Sequence, residues 1–171
     1  MKAANEPSSA SVSAGKHTFS ARLATPADIP TILAIERAAG SAAHWPENTY
    51  YEVFTPEAPA RIAIVLQDQS HSIQGFVIAR LTSGECELEN IAVTPNLQRR
   101  GAGTNLIQSL IAAVRERGAL SIHLEVRDSN SAARAFYEKC GFANTGRRPK
   151  YYSGSEEEEE QEDAMLYSLF L

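Results

Sequence analysis

The chain has 171 residues, 43% hydrophobic and 22% charged, which suits one soluble domain with one sizeable core. Of its 21 acids, Glu156 to Glu160, Glu162 and Asp163 supply seven, leaving 14 acids against 16 basic residues in a nearly neutral body, which gives no argument for a nucleic-acid partner. No apolar run approaches the roughly 18 residues of a membrane helix, and the two cysteines, Cys86 and Cys140, form neither metal-ligand spacing nor a disulfide framework, which predicts a reducing, cytoplasmic setting.

Residues 1–17 are rich in Ser and Ala, lack an apolar core and precede the first arginine, Arg22. They read as a disordered tail rather than a targeting segment. A strand is predicted over 18–24, and the next helix is capped by Asp28, which puts Pro30 in the first turn where its missing N–H costs nothing. A start at Thr25 would place Pro30 in the second turn and break an internal hydrogen bond. A loop over 40–46 leads to a short helix over 47–54, whose Tyr50, Tyr51 and Phe54 read, with Trp45, as mostly core.

Residues 61–67 and 73–81 are β-rich runs joined by a turn, and a second turn leads to a strand over 86–93. A helix over 104–117 carries Leu106, Ile107, Leu110, Ile111 and Val114 on one face. A strand over 119–127 follows, so it and strand 86–93 are predicted to be parallel neighbours with a right-handed crossover. Asn130 or Ser129 caps the next helix, which ends at Cys140 with Gly141 beyond it. Strands over 143–152 and 163–170 close the chain around an acidic loop at 153–162. The order gives an α/β domain over 18–171 with a mixed central sheet of about seven strands.

The stretch from Glu89 to Ile107 organises this domain. It reads as strand, turn, glycine-bearing loop and helix start: Gly101 and Gly103 let backbone N–H groups approach an anion, the helix dipole points at the same place, and Arg99 and Arg100 add charge. Gly-x-Gly alone is equally an ordinary helix start. A dinucleotide fingerprint needs Gly at 106, which is Leu, and a triphosphate loop needs Lys after Gly103, which is followed by Thr104.

What matches is Gln98-Arg-Arg-Gly-Ala-Gly, which resembles the pyrophosphate loop of the GNAT acyltransferase superfamily. With Asn90-Ile-Ala-Val before it and Leu124-Glu-Val-Arg-Asp-Ser-Asn and Ala135-Phe-Tyr-Glu-Lys-Cys-Gly-Phe after it, the set is similar to the RimI-type ribosomal-protein N-terminal alanine acetyltransferases. The resemblance covers about 19–171. It implies acetyl-CoA as cosubstrate and a cradle of Gln98, Arg99, Arg100, Gly101, Ala102, Gly103 and Thr104. It also implies two parallel central strands splayed so that the backbone of Ile91, Ala92 and Val93 receives the pantetheine amides, with Asn130 contacting the same arm. Nothing in the residues themselves shows the splay.

Glu125 stands on the polar side of Leu120-Ser-Ile-His-Leu-Glu-Val-Arg, opposite Leu120, Ile122, Leu124 and Val126. A carboxylate in a central strand is costly unless paired or functional, so it is either an ion-pair partner of Arg127 or a sheet neighbour, or a base. The resemblance favours the base. Tyr137 reads by itself as a helical core tyrosine; the resemblance makes it the acid that protonates the coenzyme sulfur. No nucleophile is required for direct transfer, and no metal is expected because the histidines lack ligand-like partners.

These motifs predict an acetyl-CoA-dependent N-acetyltransferase acting on a protein N-terminal amine, such as that of a basic ribosomal protein, as a monomer or weak dimer. A lysine or small amine, such as a polyamine or amino acid, is the alternative acceptor. A non-catalytic acyl-CoA-binding subunit would need the cradle but neither Glu125 nor Tyr137. The five consecutive glutamates, Glu156 to Glu160, depart from the family pattern; they read as a solvated loop or as a steering field for a cationic terminus.

Overall fold

The computed structural model describes residues 18–40, 43–55, 60–152 and 161–171. The expected tail at 1–17 and the glutamate run lie outside the described residues. The described residues order seven strands and four α-helices as β1 (Ser20–Leu23), α1 (Ile29–Ala38), α2 (Glu47–Glu52), β2 (Arg61–Gln67), β3 (Ile73–Thr82), β4 (Glu85–Val93), α3 (Ala102–Arg115), β5 (Ser121–Arg127), α4 (Ser131–Lys139), β6 (Ala143–Tyr152) and β7 (Glu162–Phe170). One open sheet runs β1-β2-β3-β4-β5-β7-β6. All its pairs are antiparallel except β4–β5, the pair predicted to be parallel.

Strand alternation separates two cores. Ile62, Ile64, Val77, Ala79, Ile122, Leu124 and Val126 meet the apolar face of α3 and the Tyr137 side of α4. Ala63, Val65, Phe76 and Ile78, on the other face, are covered by α1 and α2 through Ile29, Ile32, Leu33 and Tyr50. Each of the large aliphatic and Phe side chains removed from water contributes on the order of 1.5–3 kcal/mol. Glu125 alternates with Leu124 and Val126 and so projects on the α1–α2 side of the sheet, beyond the strands that those helices cover.

Asp28 immediately precedes α1 and Pro30 sits in its first turn, as predicted, yet the Asp28 side chain does not cap that helix. It turns back over a 3-10 turn at Pro26–Asp28, accepting from the Thr25 backbone N–H at 2.8 Å and from both Nη groups of Arg22 at 2.7 and 2.8 Å. Helix α3 starts two residues earlier than its sequence pattern indicated because Gly103 is helical. Tyr50 is fully buried as expected, but Tyr51 is 49% exposed, which corrects its placement in the core. Glu162 is part of β7 rather than of the acidic loop: it accepts from the Ser129 N–H at 2.6 Å and pairs with Arg127 at 3.2 Å.

Candidate active site

The centre of the sheet comes apart. Only Glu85, Cys86 and Glu87 of β4 pair with Ser121, Ile122 and His123 of β5, although β4 runs on to Val93 and β5 to Arg127. The cause lies on the other edge of β4. Ile78 pairs with Asn90 and Ala79 with Leu88, so Glu89 is an extra residue in the ladder, and such a bulge bends its strand and increases its twist. Arg61, donating Nε to Glu89 at 2.7 Å, and Arg80, at 3.6 Å, hold the bulged residue toward β2 and β3. Past the bulge, Ile91, Ala92 and Val93 stay paired with Val77, Phe76 and Gly75 on one side only. Among the described residues no strand pairs with them on the β5 side, and an extended ligand can complete that edge.

The turn after β4 delivers the second part. Leu97 is buried and anchors it, Arg99 has φ 59° and Gly101 φ 87°. Alternating left-handed residues of this kind turn successive N–H groups toward a common point, an anion nest. Within the loop, Gln98 and Arg100 spend their N–H groups on the carbonyls of Pro95 and Leu97, and Asn105 donates both N–H and Nδ2 to the Gly101 carbonyl. Among the described residues no carbonyl accepts from Gly101, Ala102, Gly103 or Thr104. Four unspent donors, a helix dipole and two arginines fit a pyrophosphate. The two glycines differ: a Cβ on Gly101 would meet nothing closer than Asn105 Nδ2 at 4.0 Å, whereas one on Gly103 would press on the Phe136 ring at 3.1 Å.

Asn130 is the N-cap of α4, its side chain accepting from the Ala133 N–H at 3.1 Å. About two turns on, Tyr137 is 7% exposed and packs on Phe136, Phe142 and Tyr167 at ring distances of 5.2, 5.7 and 6.5 Å. Among the described residues none hydrogen-bonds its hydroxyl, and burial pushes that hydroxyl's pKa well above the usual tyrosine value, so it holds its proton at neutral pH. Tyr137 belongs to the core on the α3–α4 side of β5, while Glu125 projects from the opposite side. The two candidate proton carriers therefore lie on opposite faces of the sheet, Tyr137 against Tyr167 of β7 and Glu125 on the stretch of β5 that β4 leaves unpaired.

Glu125 lines a cavity of about 440 Å³ that also reaches Arg80, Glu87, His123, Arg148 and Ser168. Its ion-pair partner is Arg148 at 3.1 Å, from the edge strand β6. Arg127, the partner foreseen beside it, instead pairs with Glu162 and stacks its guanidinium 4.2 Å over Tyr152. The charge of Glu125 also pushes the Tyr151 phenol up. Two further polar residues were missed from sequence: His123 has its ring nitrogens 2.8 Å from the hydroxyls of Ser121 and Ser168, and Thr145 extends the line at 3.1 Å. The signal was the period-2 polar face of β5, whose partners come from β7 and β6 and cannot be read locally.

Helices α1 and α2 cover β2, β3 and Ala92 of β4. Glu36, a buried carboxylate, accepts from the Trp45 N–H at 2.8 Å and the Tyr50 hydroxyl at 2.5 Å, and Tyr50 in turn accepts from Asn90 at 2.9 Å. This chain ties the Trp45 segment to β4 just past its bulge. Both cysteines are poor nucleophile candidates: burial raises Cys86 to about 11 and also pushes Cys140 up. Among the described residues no group of His, Cys, Asp or Glu is arranged to hold a metal, and no helix is long and apolar enough to cross a membrane.

Comparison with known proteins accords with this geometry. Residues 30–142 match the Acetyltransferase (GNAT) family. The chain is 35% identical over 142 residues to the ribosomal protein bS18-alanine N-acetyltransferases of Escherichia coli (strain K12) and Salmonella typhimurium, a match covering 83% of this chain and 90% of each relative. The crystal structure of the Escherichia coli ribosomal-protein-S18-alanine N-acetyltransferase superposes with a TM-score of 0.76 at 31% identity, covering 90% of this chain and 94% of that one. Ard1 from Thermoplasma volcanium shares the fold, with a TM-score of 0.74 at 24% identity over 90% and 97% of the two chains. The parted β4–β5 pair, the nest before α3 and these similarities together establish that the chain belongs to the GNAT family and is an acetyl-CoA-dependent N-acetyltransferase.

Proposed function

We propose that the protein moves the acetyl group of acetyl-CoA directly onto the N-terminal α-amine of a protein, with the N-terminal alanine of a ribosomal protein as acceptor. The observation that carries the mechanism is the parting of β4 from β5 after His123, with Glu125 on the unpaired stretch of β5. In this reading Gln98 to Thr104 hold the pyrophosphate, the free edge of Ile91 to Val93 and the side chain of Asn130 hold the pantetheine arm, and the acceptor enters from the α1–α2 side. Glu125 takes the proton of the arriving ammonium, directly or through an ordered water, and frees the nitrogen lone pair. The new N–C bond forms as the C–S bond breaks, Tyr137 gives its proton to the departing thiolate, and the second proton lost by the nitrogen returns through solvent to restore Tyr137. Backbone N–H groups of β4 are the donors for the carbonyl oxygen as it gains charge.

The acceptor assignment is supported by the relatives named for bS18 alanine at 35% identity. A ribosomal acceptor also accords with a cytoplasmic location. Mass spectrometry of basic peptides with N-terminal alanine, incubated with acetyl-CoA, tests it: a 42 Da gain (roughly one acetyl group) on the α-amine is expected. Modification confined to lysine side chains or to a polyamine would transfer the same chemistry to the alternative acceptor.

A further inference from the structure

Arg148 sits where a substrate ammonium must go. Its Nη2 is 3.1 Å from Glu125 Oε1, with the arginine side chain 53% exposed and the carboxylate 24% exposed. The same guanidinium lies 4.6 Å above the ring of Tyr151. A carboxylate beside an aromatic face is a general receptor for an alkylammonium. Both groups line or border the cavity in which an amine would meet Glu125.

The backbone that presents Arg148 is irregular. β6 and β7 lose register between Arg148 and Tyr152, where Arg148 pairs with Ala164 and Tyr152 with Glu162. Lys150 there has φ 54°. Asp163 ties this bulge down by accepting from the Lys150 N–H at 2.8 Å and pairing with Arg147 at 3.2 Å. Arg148 and Tyr151 are thereby turned to the same side, over Glu125. By contrast, the ion pairs of Arg61 with Glu89 and Arg127 with Glu162 lie on residues that the proposed transfer does not use.

Resting on the assignment of Glu125 as the group that receives the amine, we propose that Arg148 is an internal stand-in for the acceptor's ammonium. It fills the carboxylate-and-ring site in the free enzyme and sets acceptor affinity by competing for it. An incoming ammonium replaces the guanidinium on Glu125, and the exposed side chain of Arg148 has solvent to move into. Because the pair is partly exposed, solvent screens it, and the competition is weak enough to be overcome by substrate.

The test is steady-state kinetics on Arg148→Ala with whichever amine the wild-type enzyme acetylates, beginning with a peptide bearing N-terminal alanine and extending to spermidine. The acceptor KM should fall about two- to fivefold, with kcat and acetyl-CoA affinity held. Added guanidinium chloride, at concentrations that leave the fold intact, should compete with the acceptor more strongly in the variant than in the wild type. Arg148→Lys, which keeps a cation in place, should return KM toward the wild-type value. An unchanged or raised KM in a folded variant overturns the proposal. So does a fall in kcat that guanidinium rescues, because Arg148 would then be orienting Glu125 rather than occupying its place. Failure of Glu125 itself as the amine-receiving group would show separately, as an active Glu125→Gln enzyme.

Discussion

A Cβ on Gly103 would lie 3.1 Å from Cζ and 3.2 Å from Cε2 of Phe136. That contact makes the second glycine of the loop a packing residue, letting α4 close against the first turn of α3, while the first glycine serves the loop's left-handed turn. Gly103→Ala should cost about 1–2 kcal/mol of stability by overpacking. Phe136→Leu in the same chain should recover part of it, since residues in contact are not additive. Denaturant midpoints of the two single variants and the double variant measure the coupling; strict additivity would mean that the ring yields freely.

Gly101 should behave differently. A β-branched residue there meets no close neighbour but must adopt φ 87°, a conformation costing such residues roughly 1–2 kcal/mol. Relief of that strain reorients the N–H groups of the nest. Calorimetry on Gly101→Val should show acetyl-CoA bound at least about tenfold more weakly, or about 1.4 kcal/mol. Unchanged affinity in a folded variant would place the pyrophosphate elsewhere.

Tyr137→Phe removes one oxygen that no described residue hydrogen-bonds, so the fold should hold. If that hydroxyl protonates the leaving thiolate, turnover should fall on the order of 10²-fold with little change in acetyl-CoA affinity. Near-normal turnover under conditions where chemistry limits the rate would return Tyr137 to a packing role.

Glu125→Gln keeps the shape and removes the proton acceptor. Turnover should drop most near neutral pH, on the order of 10²-fold, and recover in part above about pH 8, where α-amines of ordinary pKa arrive already neutral. The lost pair with Arg148 is partly exposed, so the melting temperature should move little. A destabilised enzyme with an unaltered pH–rate profile would make Glu125 a structural ion-pair partner.

Arg22 and Asp28 set an acid-stability term. The Arg22 guanidinium, by its hydrogen bonds, holds the Asp28 carboxyl at about 2, below the unfolded value of about 3.9. A depressed folded pKa means that stability is present above about pH 4 and lost as pH falls through about 2. Arg22 is half-exposed, so solvent screening limits its loss in Arg22→Ala to about 1 kcal/mol near neutral pH. That difference from wild type should close between about pH 4 and pH 2 in denaturation curves. A gap that persists undiminished to pH 2 would mean that Arg22 acts through packing alone.

The β-rich runs and the turn residues were enough to place β2 and β3 in the sequence, and the helix between two β-rich runs was enough to make β4 and β5 parallel neighbours. Asn130 was legible as a cap, Gly101 as a turn residue, and the family through motifs spread from Asn90 to Phe142. These features depend on a residue and its near neighbours: side-chain periodicity, missing Cβ atoms, a short polar side chain before a helix. Tertiary structure decided the rest. The bulge at Glu89 exists because β4 must pair with β3 on one side while Arg61 and Arg80 hold its extra residue, and the parted strands follow from that bend. Arg127 was the near candidate for Glu125, yet the pairing of β5 with β7 and of β7 with β6 gave Arg127 to Glu162 and Arg148 to Glu125. Spacing along one strand says which side of a sheet a charge faces; which opposite charge it meets depends on the register of strands that arrive tens of residues later, and register is fixed only when the whole sheet packs.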